Sequence, residues 1–271
     1  MTLPAPAPDR TCLVTGASSG IGVEIARDLA RRGHGVTLVA RREEPLRDLA
    51  LELSAAFDVR TEVVTADLAA DAPGERLAAA VAERELVVDV LVNNAGYSTM
   101  GPVHRSDPAK EVAMVRTDVE AVVHLCSTFL PGMVERGRGA VLNVASTAAF
   151  QPLPGQAGYG ASKAFVLSYS HAVRAELAGT GVNLTVLCPG PVETGFAETM
   201  GIGDEEAAKA MPSFMWVSAR DVAATAVAGL DAGHAVVIPG AANKLTAFGG
   251  YLTPRRLLLP ILAKQHPSLK D

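Results

Sequence analysis

The chain has 271 residues, 49% of them hydrophobic, and a formal net charge of −5. That length suits one large α/β domain better than two small ones, and the mild acidity argues against a nucleic acid partner, which calls for a basic face. Cys12, Cys126 and Cys188 lie far apart in apolar contexts, so they read as buried small hydrophobes of a reducing compartment, with neither metal-ligand spacing nor a disulfide framework.

Residues 1–9 are proline-rich and lack the apolar centre of a signal peptide, so they read as a flexible lead-in. No stretch is long enough to be a transmembrane segment, and a cytoplasmic location is expected. From there to about residue 240, short aliphatic runs alternate with longer amphipathic or Ala-rich patterns. The runs are Thr11–Thr15, Gly35–Ala40, Arg60–Ala66, Val87–Val92, Ala140–Ala145, Asn183–Leu187 and Ala235–Ile238. The helical patterns are Ile21–Arg32, Glu43–Ala56, Gly74–Arg84, Pro108–Arg136, Tyr159–Gly179 and Ala219–Ala232. Parallel neighbours need helical crossovers, so this alternation predicts one doubly wound parallel sheet. Ser218 followed by Asp221 predicts a capping box on the last of these helices. The stretch from about Pro189 to Val217 carries no strand pattern and reads as a lid, and residues 241–271 form a C-terminal extension.

Directly after the first run comes Thr15-Gly16-Ala17-Ser18-Ser19-Gly20-Ile21-Gly22, then a helix. Gly16 permits a tight turn, Gly20 a close approach of backbone to a pyrophosphate, and Gly22 close helix packing. A helix N-terminus adds unpaired N–H groups and the positive dipole end. An ordinary Gly-rich turn is the plainer reading of this motif alone. The second run ends in Arg41-Arg42 with no acid before Glu43. At that point an acid would accept a ribose 2′-hydroxyl and an arginine a 2′-phosphate, which predicts NADP(H) unless the pair is simply solvated.

Further polar motifs end the later runs: Asp67-Leu68, Asn93-Asn94-Ala95-Gly96, Ser146, and Cys188 through Thr194. Ligands of open α/β sheets bind outside the carboxyl ends of the strands, so these motifs converge on one edge. Tyr159 and Lys163 stand one helical turn apart in Tyr-Gly-Ala-Ser-Lys. A phenol with an ordinary pKa of about 10 is a poor acid near neutrality; an ammonium at i+4 favours the phenolate. With a hydroxyl beside it, such a phenol suits proton exchange with a carbonyl or alcohol oxygen.

Together, Thr15-Gly-x-x-x-Gly-Ile-Gly22, Asn93-Asn-Ala-Gly96, Ser146 and Tyr159-x-x-x-Lys163 resemble the short-chain dehydrogenase/reductase family over about Arg10 to Pro239, and most of all its bacterial ketoacyl-reductase-like members. The resemblance implies a single Rossmann-type domain with a seven-stranded parallel sheet and a nicotinamide cofactor. It implies Tyr159 as general acid/base, Ser146 as the group orienting the reacting oxygen, and Lys163 as a ribose ligand that lowers the Tyr159 pKa. It places Asp67, Leu68, Asn94, Ala95 and Gly96 on the adenosine side, and Pro189, Gly190, Val192 and Thr194 at the carboxamide end. The family's usual asparagine falls on Asp118 here, which keeps a backbone carbonyl for a water toward Lys163 but lacks the amide donor. A relay with a shifted pH profile is expected, unless Asp118 only satisfies backbone groups in a kinked helix.

The reading is therefore an oxidoreductase interconverting an apolar carbonyl, 3-ketoacyl or steroid-like, and its secondary alcohol. The alternative is a protein that binds NADP(H) without turnover, as a sensor or assembly partner. Met200, Met211, Phe214, Met215 and Trp216 would line an apolar lid, or pack on the core or a subunit neighbour. Leu252–Lys264, with Arg255, Arg256 and Leu257-Leu258-Leu259, would lie on a membrane surface, on the protein, or at a subunit interface. Helices 108–136 and 159–179 are the surfaces through which relatives form homodimers and homotetramers.

Overall fold

The computed structural model describes residues 3–193, 212–265 and 269. Seven parallel strands form one sheet: β1 (Arg10–Thr15), β2 (Val36–Ala40), β3 (Thr61–Thr65), β4 (Val87–Asn93), β5 (Gly139–Val144), β6 (Val182–Leu187) and, after a short pair described below, β9 (Val236–Val237). Their spatial order is β3-β2-β1-β4-β5-β6-β9. The chain reverses its winding direction between β1 and β4, which opens a crevice at the carboxyl edge. The strands are aliphatic on both faces because helices cover both.

On one face lie α1 (Gly20–Arg31), α2 (Glu43–Phe57) and α7 (Ala219–Asp231), whose Ile25, Leu29, Leu46, Leu53, Val222 and Leu230 pack against Cys12, Val14 and Leu142. On the other lie α3 (Pro73–Ala82), α5 (Ala121–Glu135) and α6 (Ala157–Glu176), whose Leu77, Leu125, Met133 and Val166 meet Leu13, Leu91 and Val141. Alternate residues of one strand thus feed opposite cores, as the period-two pleat dictates. All three cysteines are buried and free.

Two expectations are corrected. The pattern 108–136 is not one α-helix: α4 (Pro108–Val115) and α5 are joined by a π turn at Arg116–Glu120 that carries Asp118. The stretch after Pro189 does contain strand, because β7 (Val192–Glu193) pairs in parallel with β8 (Val217–Ser218) at the far end of the loop. The C-terminal extension folds into α8 (Ala241–Leu252) and α9 (Arg255–Gln265). The capping of α7 is as expected, with Ser218 Oγ accepting from Asp221 N at 3.1 Å.

Candidate active site

The turn after β1 is built around Thr15. Its hydroxyl donates to the Val92 carbonyl at 3.0 Å and accepts from Asn94 N at 3.0 Å and Ala95 N at 3.1 Å. Asn94 Nδ2 returns a bond to the Thr15 carbonyl at 2.9 Å, so the two strand ends are stapled together. Gly16 has φ +66°, and a Cβ on Gly22 would overlap the Gly16 carbonyl. The glycines therefore let α1 start hard against the turn. Ser19 occupies the N-cap without a side-chain capping bond, which leaves first-turn N–H groups for an anion. At the end of β2, Arg41 and Arg42 are exposed, and Arg42 Nη2 lies 3.4 Å from both the carbonyl and the hydroxyl of Ser18. Glu43, the nearest acid, is held along α2 by Arg47 Nε at 2.8 Å. Opposite, Asp67 accepts from Ala69 N at 3.0 Å while Leu68 is buried. This arrangement fits a phosphorylated dinucleotide: a small turn, open N–H groups, and two guanidinium groups where a 2′-phosphate would sit.

The residues expected to exchange a proton meet at the ends of β5 and α6. Ser146 Oγ accepts from Ala148 N at 3.1 Å, lies 3.4 Å from the Pro189 carbonyl, and hydrogen-bonds the Tyr159 phenol. Lys163 is buried, one turn beyond Tyr159 on α6, with Nζ 5.6 Å from the phenol ring centre. That ammonium donates to the Val144 carbonyl at 3.2 Å and ion-pairs with Asp118 Oδ2 at 3.1 Å. Asp118 is itself fully buried, and its Oδ1 accepts from Tyr97 N at 3.0 Å. A Cβ on Gly96 would come within 3.0 Å of both the Asp118 carboxylate and the Lys163 ammonium, so a glycine lets the loop lie close over this pair.

These groups tune one another. Burial pushes the Tyr159 phenol up; Lys163 and the Ser146 hydrogen bond pull it down, Asp118 pushes it up, and it settles above its ordinary value. The ammonium at i+4 thus acts in the expected sense without outweighing burial. Burial pulls Lys163 down, but Asp118 and Tyr159 more than reverse this. The Asp118 carboxyl is raised by burial against the opposing pull of Lys163 and the Tyr97 N–H. The Asp118 carboxylate meets the lysine directly.

The loop after β6 is pinned from two sides. Thr147 N donates to the Pro189 carbonyl at 2.9 Å. Behind the loop, buried Asn243 of α8 donates to the Met215 and Pro239 carbonyls at 3.0 and 3.1 Å, and a Cβ on Gly190 would collide with its side chain. Val192 lies in β7; Thr194, Met200 and Met211 fall outside the described residues. Of the remaining lid positions, Phe214 is exposed and Met215 buried.

The structure therefore gathers Gly16, Ser18, Arg42, Asn94 and Gly96 at one part of the carboxyl edge and Asp118, Ser146, Tyr159 and Lys163 at the adjoining part. Sequence reasoning missed the organising role of the Thr15 hydroxyl, although that residue begins the glycine motif. It also missed Tyr97 N and Asn243, for which no local pattern exists.

Comparison with known proteins agrees with this geometry. The short chain dehydrogenase family matches residues 10–204. An NADP-dependent 3-hydroxy acid dehydrogenase of Salmonella typhi is 38% identical over 203 residues, 72% of this chain and 78% of its own. A 7β-hydroxysteroid dehydrogenase structure superposes with TM-score 0.81 at 26% identity, covering 93% of this chain and 96% of that one. Actinorhodin polyketide ketoreductase with NADPH superposes with TM-score 0.77 at 34% identity, covering 92% and 100%. With its glycine turn, its Asn94 staple and its serine, tyrosine and lysine at one sheet edge, this chain belongs to the short-chain dehydrogenase family of oxidoreductases.

Proposed function

We propose that this enzyme reduces an apolar ketone with NADPH and, in reverse, oxidises the matching secondary alcohol. The observation that carries the reading is the Ser146–Tyr159 hydrogen bond at the carboxyl edge with buried Lys163 one turn away. NADP(H), when bound, supplies the hydride in reduction and accepts it in oxidation. Arg41 and Arg42, with Glu43 paired to Arg47, support the phosphorylated form of the cofactor.

In reduction, Ser146 holds the substrate oxygen by a hydrogen bond that strengthens as negative charge develops there. Tyr159 gives its phenolic proton to that oxygen, which becomes the alcohol. The phenolate left behind is stabilised by Lys163, whose charge is fixed in place by the Val144 carbonyl and Asp118. Oxidation runs these proton steps backward.

The names of the relatives support a keto or hydroxy group flanked by bulky apolar surface, of 3-ketoacyl or steroid type. Exposed Val112, Val115 and Phe165 on α4 and α6 fit a homodimer or homotetramer, and the buried free cysteines fit the cytoplasm. The test is a panel of 3-ketoacyl thioesters and ketosteroids with NADPH or NADH, followed by loss of nicotinamide absorbance. Turnover with NADPH that Tyr159→Phe lowers by about 10²–10⁴-fold is expected, the range of positioned general acids. NADPH binding without turnover across the panel would instead establish a sensor or assembly role.

A further inference from the structure

Helix α8 is amphipathic in the inverted sense. The residues it buries against the body are Asn243, Ala247 and Gly250, and a Cβ on Gly250 would collide with the Gln151 side chain. Its large apolar residues point the other way: Leu245 is 73% exposed, and Phe248, Tyr251 and Leu252 are exposed with it. At 100° per residue these four fall within one stripe, with Lys244 inside its span. Helix α9 adds exposed Leu257 and Ile261 on one side and Leu259 on another. Among the described residues, seven of the fourteen exposed large apolar side chains lie on these two helices, so the apolar surface is concentrated in one place.

The pair is fixed and does not hang from the chain end. Arg255 Nη1 donates to the Gly250 carbonyl at 2.7 Å, closing the corner between the helices, and its Nη2 donates to the Phe150 carbonyl at 3.3 Å. Asn243 anchors the other end of α8 to the Met215 carbonyl, beside exposed Phe214. The apolar surface is therefore presented outward by contacts to the body.

Its charge is equally one-sided. Residues 241–265 hold Lys244, Arg255, Arg256 and Lys264 and no carboxylate, in a chain whose formal net charge is −5. A twofold contact between copies would match this patch with itself and set cation against cation. An anionic bilayer offers both complements: acyl chains for the stripe and lipid phosphates for the cations. Neither helix is long enough to cross it.

We propose that α8 and α9 form a docking surface for an anionic phospholipid membrane, lying flat in its interface. The test is sedimentation of the full chain with phosphatidylcholine vesicles, with and without phosphatidylglycerol, at low and high salt. Pelleting with the mixed vesicles and release by salt are expected. Arg256→Glu, and separately the pair Phe248→Ser with Leu252→Ser, should each weaken that binding about tenfold or more, given the worth of each charge and each buried apolar side chain at an interface. Thermal unfolding of both variants, expected to match the parent, guards against misfolding. Protein left in the supernatant with the mixed vesicles overturns the proposal. So does a fall in the light-scattering mass of the Phe248→Ser/Leu252→Ser variant, which would show a second copy covering the face. Turnover is not read, so either result leaves the reductase assignment where it stands.

Discussion

Asp89 and Asp118 are both buried, and they sit on opposite rims of the same sheet. Asp89, near the start of β4, faces three guanidinium groups: Arg138 at 2.7 Å, Arg10 at 3.5 Å and Arg136 at 3.8 Å. Those arginines are partly exposed, so their charge is partly screened, although Arg10 Nη1 and Arg138 Nε are buried. Asp118, at the carboxyl rim, has one cationic partner among the described residues, and Lys163 is as dry as it is. A carboxylate ringed by partly exposed arginines steadies the fold; one paired to a single dry lysine influences the proton affinity of whatever stands next to that lysine. On the proposed mechanism the same residue type would serve structure on one rim and chemistry on the other.

Three measurements sharpen or break this contrast. The largest effect belongs to Lys163→Met, which should lower kcat by about 10²–10⁴-fold and cost about 3–5 kcal/mol of stability, because Asp118 loses its counter-charge. Burial already raises the Asp118 carboxyl and Lys163 opposes it. The stability loss should therefore grow as pH rises from the ordinary aspartate range and fade in acid, where that carboxyl is neutral both folded and unfolded. Adding Asp118→Asn should restore most of the stability and none of the turnover. An unchanged denaturant midpoint for the single variant would show that the pair is energetically idle.

Asp89→Asn comes next, with a loss of about 1–3 kcal/mol and an unaltered kcat, since its arginines can turn to water. Altered catalysis in a stable Asp89 variant would erase the contrast between the rims. Asp118→Asn preserves an acceptor for Tyr97 N and should leave the maximal rate within about tenfold, although it leaves the buried Lys163 charge without its carboxylate. Asp118 pushes the Tyr159 phenol up, so its removal moves that titration down. Reduction, which needs the protonated phenol, should then fail at lower pH, and oxidation, which needs the phenolate, should begin at lower pH. Superimposable pH–rate curves would take Asp118 out of the mechanism.

Most strands and the two helix-borne motifs were legible because each rests on local pattern: aliphatic runs closed by Gly, Asn or Asp, and glycines at turns that need them. The π turn at Arg116–Glu120 was not, since a single inserted residue leaves the apolar periodicity of Pro108–Arg136 readable as one helix. The direct Asp118–Lys163 contact joins residues distant in sequence, and nothing local distinguishes a carboxylate that reaches the lysine from one that caps a backbone. The packing of α8 also depends on contacts far apart in sequence, since Gly250 approaches the Gln151 side chain and Arg255 closes the corner between α8 and α9. The Asn243–Gly190 contact depends wholly on the finished topology.

The clasp between Pro189 and the residues beside it has its own consequence. Ser146 and Thr147 both address the Pro189 carbonyl, so the loop that frames one ligand is mechanically tied to the hydroxyl that aligns the other. On the proposed mechanism, an ill-fitting ketone that wedged this loop outward would drag the serine out of line, and poor substrates are then expected to lose turnover rate more than affinity.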